Sequence, residues 1–153
     1  MQLTQFTNYA FRVLMFLAVS DGQPVSLRKI ADVYGISFNH LRKIVSLLIE
    51  KGYVRASRGK YGGIFLAMPA EKINVGEVVR SIEPSLCLFE CFDKKGNQEC
   101  PLVKVCQLRS LLGDALRAFM ATLDAKTVWD LVNNRQVKKK FVEMDSSWVF
   151  QEE

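Results

Sequence analysis

The sequence has little histidine, no cysteine outside one short segment, and no apolar run long enough to cross a membrane. A membrane-spanning helix needs roughly 20 predominantly apolar residues, so a helical membrane protein is not expected. The opening residues, Met1 to Asn8, lack the basic start, apolar centre and small-residue cleavage site of a signal peptide. A cytoplasmic location is the expectation, and there thiols are kept reduced and a stable disulfide is disfavoured. The chain also lacks a GxGxxG nucleotide fingerprint and an acid–base constellation around a nucleophile, so an enzyme or an electron carrier is a poor reading. The one histidine, His40, would stand alone as a metal ligand.

What is present fits a globular protein of one domain, or one domain with an appendage. Hydrophobic residues make up 49% and charged residues 24% of the 153 positions, which leaves enough apolar side chain for a real core. The net charge of +5 is unevenly spread. Residues 1–66 carry nine Lys and Arg against three acidic groups, a net of +6, and the remainder is close to neutral at −1. A basic first half points to a polyanionic partner for that half alone, with a solvated basic face as the plainer alternative.

The N-terminal half has a recognisable order of elements. Thr7–Ser20 reads as a helix capped by Thr7, with Phe11, Leu14, Met15 and Ala18 on its apolar stripe. Asp21-Gly22-Gln23-Pro24 ends it. Ser26 caps a short helix over Leu27–Tyr34, with Ile30 and Ala31 turned inward, and Gly35 closes it. Ser37 caps a third helix, Phe38–Lys51, with Leu41, Ile44, Val45, Leu48 and Ile49 on one face. Two short helices joined by a glycine-containing turn make a helix-turn-helix, whose second member can enter a major groove. Tyr53–Ser57 and Ile64–Ala67 then pair as strands around the tip Arg58-Gly59-Lys60-Tyr61-Gly62-Gly63, a basic wing suited to phosphates or a narrow minor groove. The fold class predicted is mainly α with a small β-hairpin wing: a winged helix-turn-helix domain followed by a long dimerisation helix.

Roles follow from this placement. Ser37, Phe38, Asn39, His40, Arg42 and Lys43 lie at the exposed start of the third helix. Asn39 or His40 suits base edges, and Arg42 and Lys43 suit guanine or phosphate. Arg28 and Lys29, opening the second helix, suit the DNA backbone, and Arg58 and Lys60 lie in the wing. Double-stranded DNA is the partner this predicts.

All four cysteines fall between Leu86 and Cys106. Cys91, Cys100 and Cys106 are separated by eight and five residues, and Cys87 stands four positions before Cys91. Zinc sites usually show two close pairs, which this spacing lacks. A loop turned by Gly96 and Pro101 can instead wrap an iron–sulfur cluster held by soft thiolates. Buried unliganded cysteines remain an alternative reading, and Cys87 between Leu86 and Leu88 is expected to be a buried small hydrophobe. A long helix follows to about Leu123, with Leu108, Leu111, Leu112, Ala115, Leu116, Phe119 and Leu123 on one side. It is expected to pack on the N-terminal helix along one edge and on its twin along another, giving a two-fold dimer that matches a palindromic site.

The segments TQFTNYAFRVL from Thr4, YGISFNHLRKI from Tyr34, RGKYGGI from Arg58, INVGEVVR from Ile73 and LDAKTVWDL from Leu123 resemble the Rrf2 family of bacterial transcription regulators over residues 1 to about 134. The surroundings of Cys91, Cys100 and Cys106 resemble its nitric-oxide-responsive repressors more than its iron–sulfur biogenesis regulators. The latter carry a histidine shortly after the third cysteine, where this chain has Gln107-Leu108-Arg109-Ser110. The resemblance implies that Cys91, Cys100 and Cys106 bind a [4Fe–4S] or [2Fe–2S] cluster, that nitric oxide is the signal, and that Arg58 reads the minor groove. Such repressors often present an aspartate from the partner subunit as fourth ligand, where this chain has Asn8. A neutral amide brings no charge to iron, which leaves water, a small thiol, Cys87, Glu90 or Asp93 for that position. The alternative is a cluster-free regulator of the same family that responds to thiol oxidation or a small molecule.

The expected organisation is a DNA-binding domain over 1–80, a cysteine-bearing loop over 81–106, a dimerisation helix and a C-terminal helix over 107–135, and a tail over 136–153. That tail, with the basic run Lys138–Lys140, reads as solvated or partly ordered, although Phe141, Trp148 and Phe150 offer means of docking.

Overall fold

A computed structural model of the chain describes residues 2–59, 61–93 and 100–144. Helix α1 spans Gln5–Val19 and lies at the centre of the molecule, touching most other elements. Its N-cap is Thr4, whose Oγ1 accepts from the Thr7 N–H at 3.3 Å, so Thr7 is a buried first-turn residue and not the cap predicted. The predicted stripe is also displaced. Only Leu14 of that set is fully buried, while Ala10, Val13, Phe16 and Leu17 carry the core contact and Phe11, Met15 and Ala18 are half-covered. A helix packed on several sides needs no single narrow stripe, so its period points poorly to the most buried face.

The helix-turn-helix follows the expected boundaries. Helix α2 runs Leu27–Tyr34, with Ser26 Oγ accepting from the Lys29 N–H at 3.2 Å and Gly35 closing it at φ 61°. Helix α3 runs Phe38–Glu50 and buries Leu41, Ile44, Val45 and Leu48. Ile49 departs from expectation: it is 41% exposed, because it lies at the edge of the face that α1 and α2 cover. Strands β1, Val54–Ser57, and β2, Gly63–Leu66, pair antiparallel with Val54 opposite Leu66 and Ser57 opposite Gly63. Ile64 also exchanges two backbone hydrogen bonds with Val25, at 2.8 and 2.9 Å, which ties the wing to the chain entering α2. Gly63 permits this approach, since a Cβ there would lie 2.6 Å from the Val25 carbonyl oxygen.

Helix α4, Val75–Ile82, is capped by Asn74, whose Oδ1 accepts from the Glu77 N–H at 3.0 Å. Helix α5, Gln107–Asp124, rests mainly on α4 rather than on α1 as predicted. Asn74 Nδ2 donates to the Asp124 carbonyl at 2.7 Å, and Arg80 pairs with the Asp124 carboxylate, fastening the far end of α5. Met120 is the sole buried side chain of α5. Of the predicted apolar stripe, Leu112, Leu116, Phe119 and Leu123 are half-covered, whereas Leu108 and Leu111 are 54% and 64% exposed within one chain.

Helix α6, Val128–Val132, starts with a capping box between Thr127 and Asp130 and packs on α1. The predicted loose tail is corrected over its first half: Arg135–Met144 forms helix α7. Phe141 is 5% exposed and meets Phe16 edge-on at 5.8 Å, and Phe16 in turn meets Tyr34 at 5.9 Å. Phe141, with the half-buried Val137 packed against the same core, docks the helix while its lysines stay at the surface. Trp148 and Phe150 lie outside the described residues, as does Lys60.

Candidate functional site

Most of the predicted DNA-binding side chains are exposed at the starts of α2 and α3 and in the wing. Arg28 at the start of α2 places its guanidinium over the Phe38 ring, 5.0 Å from the centroid, joining the starts of α2 and α3. Phe38 thus supports a cation as well as standing at the surface. Asn39, His40, Arg42 and Lys43 are all exposed on the first turns of α3. Ser37 precedes them without a side-chain capping bond. Lys29 is half-buried beside the cap of α2. In the wing, Arg58 is exposed next to Gly59, which adopts φ 109°, and the Gly62 N–H donates to the Gly59 carbonyl at 3.0 Å to close the tip. Arg55, outward-facing on β1, is a further cation the sequence reading passed over. Its alternation with the buried Val54 is the signal that marks it.

Arg12 of α1 lies 5.4 Å from the Tyr9 ring centroid and 5.5 Å from the Tyr34 ring centroid. Burial pushes the Tyr34 hydroxyl up to about 12, against the opposing pull of Arg12, so that ring stays neutral and serves as packing.

The cysteine segment leaves the core after α4. Glu83 Oε1 accepts from the Thr4 N–H at 2.8 Å and from Thr4 Oγ1 at 3.1 Å, so the start of the segment is fixed to the start of α1. Beyond it, all four cysteines are free thiols. Cys87 is exposed, contrary to the expectation of a buried hydrophobe: its neighbours Leu86 and Leu88 are half-covered while Cys87, between them, is not. Cys100 is exposed, and Cys91 and Cys106 are half-covered.

Cys106 is the N-cap of α5, and its Sγ accepts from the Arg109 N–H at 3.4 Å. Arg109 Nε also donates to the Cys91 carbonyl at 3.1 Å, and its guanidinium lies 5.9 Å from the Phe92 ring centroid. Sequence reasoning missed Arg109, although a cation three positions after a cysteine that starts a helix is a readable signal. Thiolate sulfur is the soft donor that iron–sulfur clusters take. The soft donor set of Cys91, Cys100 and Cys106 therefore fits an iron–sulfur cluster chemically. Among the described residues, no three His, Cys, Asp or Glu side chains are already gathered as a metal nest. Asn8 is exposed on α1, where its Nδ2 donates to Gln5 Oε1 at 3.3 Å. No described helix is long and apolar enough to cross a membrane.

The model of a family described as Rrf2, "Iron-dependent Transcriptional regulator", matches residues 3–134. The HTH-type transcriptional regulator NsrR of Bacillus subtilis (strain 168) is 44% identical over 145 residues, covering 94% of this chain and 99% of that protein. NsrR of Geobacillus kaustophilus (strain HTA426) is 47% identical over 136 residues, covering 88% and 92% respectively. Among solved structures, CymR (YrzC), the global cysteine regulator of B. subtilis, superposes with a TM-score of 0.69 at 27% identity, covering 86% of this chain and 95% of that one. The T. potens IscR structure shares the fold with a TM-score of 0.69 at 24% identity, covering 99% and 94%. These relatives are regulators and not enzymes, and the helix-turn-helix, the wing and the sequence match agree: the chain is an NsrR-like transcriptional regulator of the Rrf2 family.

Proposed function

We propose that the protein is a dimeric repressor of a palindromic operator, and that nitric oxide relieves repression by acting on an iron–sulfur cluster held by Cys91, Cys100 and Cys106. The observation that carries this reading is Arg109, which joins the Cys91 carbonyl to the helix start occupied by Cys106 and so couples two segments of the proposed ligand set. The bound cluster supplies iron atoms that nitric oxide can ligate in place of a thiolate.

The rest is work of the chain. Asn39, His40, Arg42 and Lys43 read the major groove, with Arg28 and Lys29 on the phosphates and Arg58 in the minor groove. Lys60 joins the wing contact in this reading. Leu108 and Leu111 meet their counterparts in a second copy, which sets the spacing of two reading heads. Cys91, Cys100 and Cys106 would hold the cluster, and without it they would no longer tie down the loop that begins at Glu83. Through Thr4 this loop is tied to α1, and α1 packs directly on α3. Two domains that no longer match the half-site spacing lose the operator, a ligand-biased two-state change. Asn8 leaves the fourth ligand to another donor and makes cluster lability part of the proposal.

The test is operator binding by fluorescence anisotropy, on duplexes selected by the protein itself, with and without a nitric oxide donor. Wild-type protein purified without oxygen should release the duplex on treatment. A Cys91→Ala protein should not respond, and one that still released DNA on nitric oxide would contradict the proposal. The exposed thiols of Cys87 and Cys100 give a second reading, regulation by thiol oxidation without a cluster. It predicts iron-free protein that responds to peroxide and recovers with a reducing thiol.

A further inference from the structure

Helix α5 has two unlike flanks. Leu108 and Leu111 lie on one, whereas Cys106, Arg109, Gly113 and Arg117 recur at three- and four-residue steps on the other. Against this second flank lies an open cleft of about 440 Å³, lined by Phe92, Lys104, Cys106, Arg109, Gly113 and Arg117 among others. Its volume is in the range of small-molecule sites. No acidic side chain among the described residues lines it, although three cations do. Arg117 pairs with Asp114, outside the lining, and Arg109 spends its Nε on the Cys91 carbonyl. Like charges facing one cleft repel unless an anion sits between them.

Gly113 is the second, independent observation. A glycine in the middle of an 18-residue helix weakens it relative to alanine. Packing does not demand it: a Cβ there would stand 3.5 Å from Arg117 Nη1 and 3.7 Å from Phe92 Cε1, ordinary van der Waals contact. What the missing methyl leaves open is part of the cleft's lining.

We propose that this cleft binds a small dianion, a metabolite bearing two carboxylates or a phosphate on a short carbon backbone. Lys104 and Arg117 hold its anionic oxygens, with the remaining N–H groups of Arg109 between them, and the backbone lies against Phe92 across Gly113. The site needs no cluster, yet it abuts Cys106 and the first turns of α5. It therefore gives the regulator an input for a metabolite, separate from nitric oxide.

The test is titration calorimetry of the full chain, as purified and after iron removal, with inorganic phosphate and with malate as probes. One probe should bind at one site per chain in both preparations, phosphate alone assigning a phosphorylated ligand and malate alone a dicarboxylate. Lys104→Gln and Arg117→Gln should each weaken binding by about tenfold or more. Gly113→Ala should raise the melting temperature while weakening binding to a similar extent, a combination that a folding defect does not produce. Absence of binding by both probes, or binding unchanged in Lys104→Gln and Gly113→Ala, would overturn the proposal.

Discussion

Arg109 holds Cys91 in place from 18 residues away: its Nε donates to the Cys91 carbonyl at 3.1 Å while its own N–H donates to Cys106 Sγ at 3.4 Å. The side chain is half-covered, so this charge-assisted bond is worth more than a fully solvated one. Replacing Arg109 by Ala frees the Cys91 turn from the start of α5. Iron should leave the variant on the order of tenfold faster under a chelator, consistent with the loss of about 1.5 kcal/mol from one such bond. Chelator-driven bleaching measures this, and Arg109→Lys, which lacks the forked donor, should fall between the two.

Phe141 is the anchor of α7, beyond the end of the family match at residue 134. Its ring stands against Phe16, which itself meets Tyr34 of the helix-turn-helix. Phe141→Ala should cost roughly 3–5 kcal/mol of unfolding free energy. Urea denaturation should show a lower midpoint, and deletion of 135–153 should reproduce the loss.

Leu111 is 64% exposed on a helix whose own chain covers only one flank. Leu111→Glu places a charge where two copies are proposed to meet. Sedimentation should then report a monomer with an unchanged helical signal. Operator affinity should drop by about tenfold or more, since one head binds without the other.

Asp124 has its carboxyl held below the usual range, chiefly by the hydrogen bond from Arg80; desolvation opposes this and the charge of the same guanidinium adds to it. A lowered folded-state value means the pair stabilises the fold above the unfolded carboxylate range and loses that effect as pH falls through the folded value. Both side chains are more than 40% exposed, so the effect is modest. Asp124→Asn should therefore be slightly less stable than wild type at neutral pH, with the difference shrinking below about pH 4 in thermal melts.

The boundaries of α2 and α3 were readable because Ser26, Gly35 and the apolar spacing agree at short range. So was the wing, where glycines and cations mark a tight turn between alternating strands. The cap of α1 was not, because Thr4 and Thr7 are equally good capping residues and only the distant Glu83 favours Thr4. Helix α7 was masked by its lysine run, which hides a single docking ring. Cys87 has apolar neighbours that suggest burial, yet burial requires a covering layer, and sequence spacing carries no record of one. The tie from Arg109 to Cys91 and the cleft beside it join residues far apart along the chain, and no local period encodes them.

In the proposed mechanism, Cys91, Cys100 and Cys106 hold an iron–sulfur cluster on which nitric oxide acts. The direct measurement is iron and acid-labile sulfide content with a visible absorption spectrum, after purification without oxygen and again after nitric oxide. The account predicts equal iron and sulfide, a visible band bleached by nitric oxide, and neither in Cys106→Ala. Colourless, iron-free wild-type protein that still releases its operator on nitric oxide would contradict it.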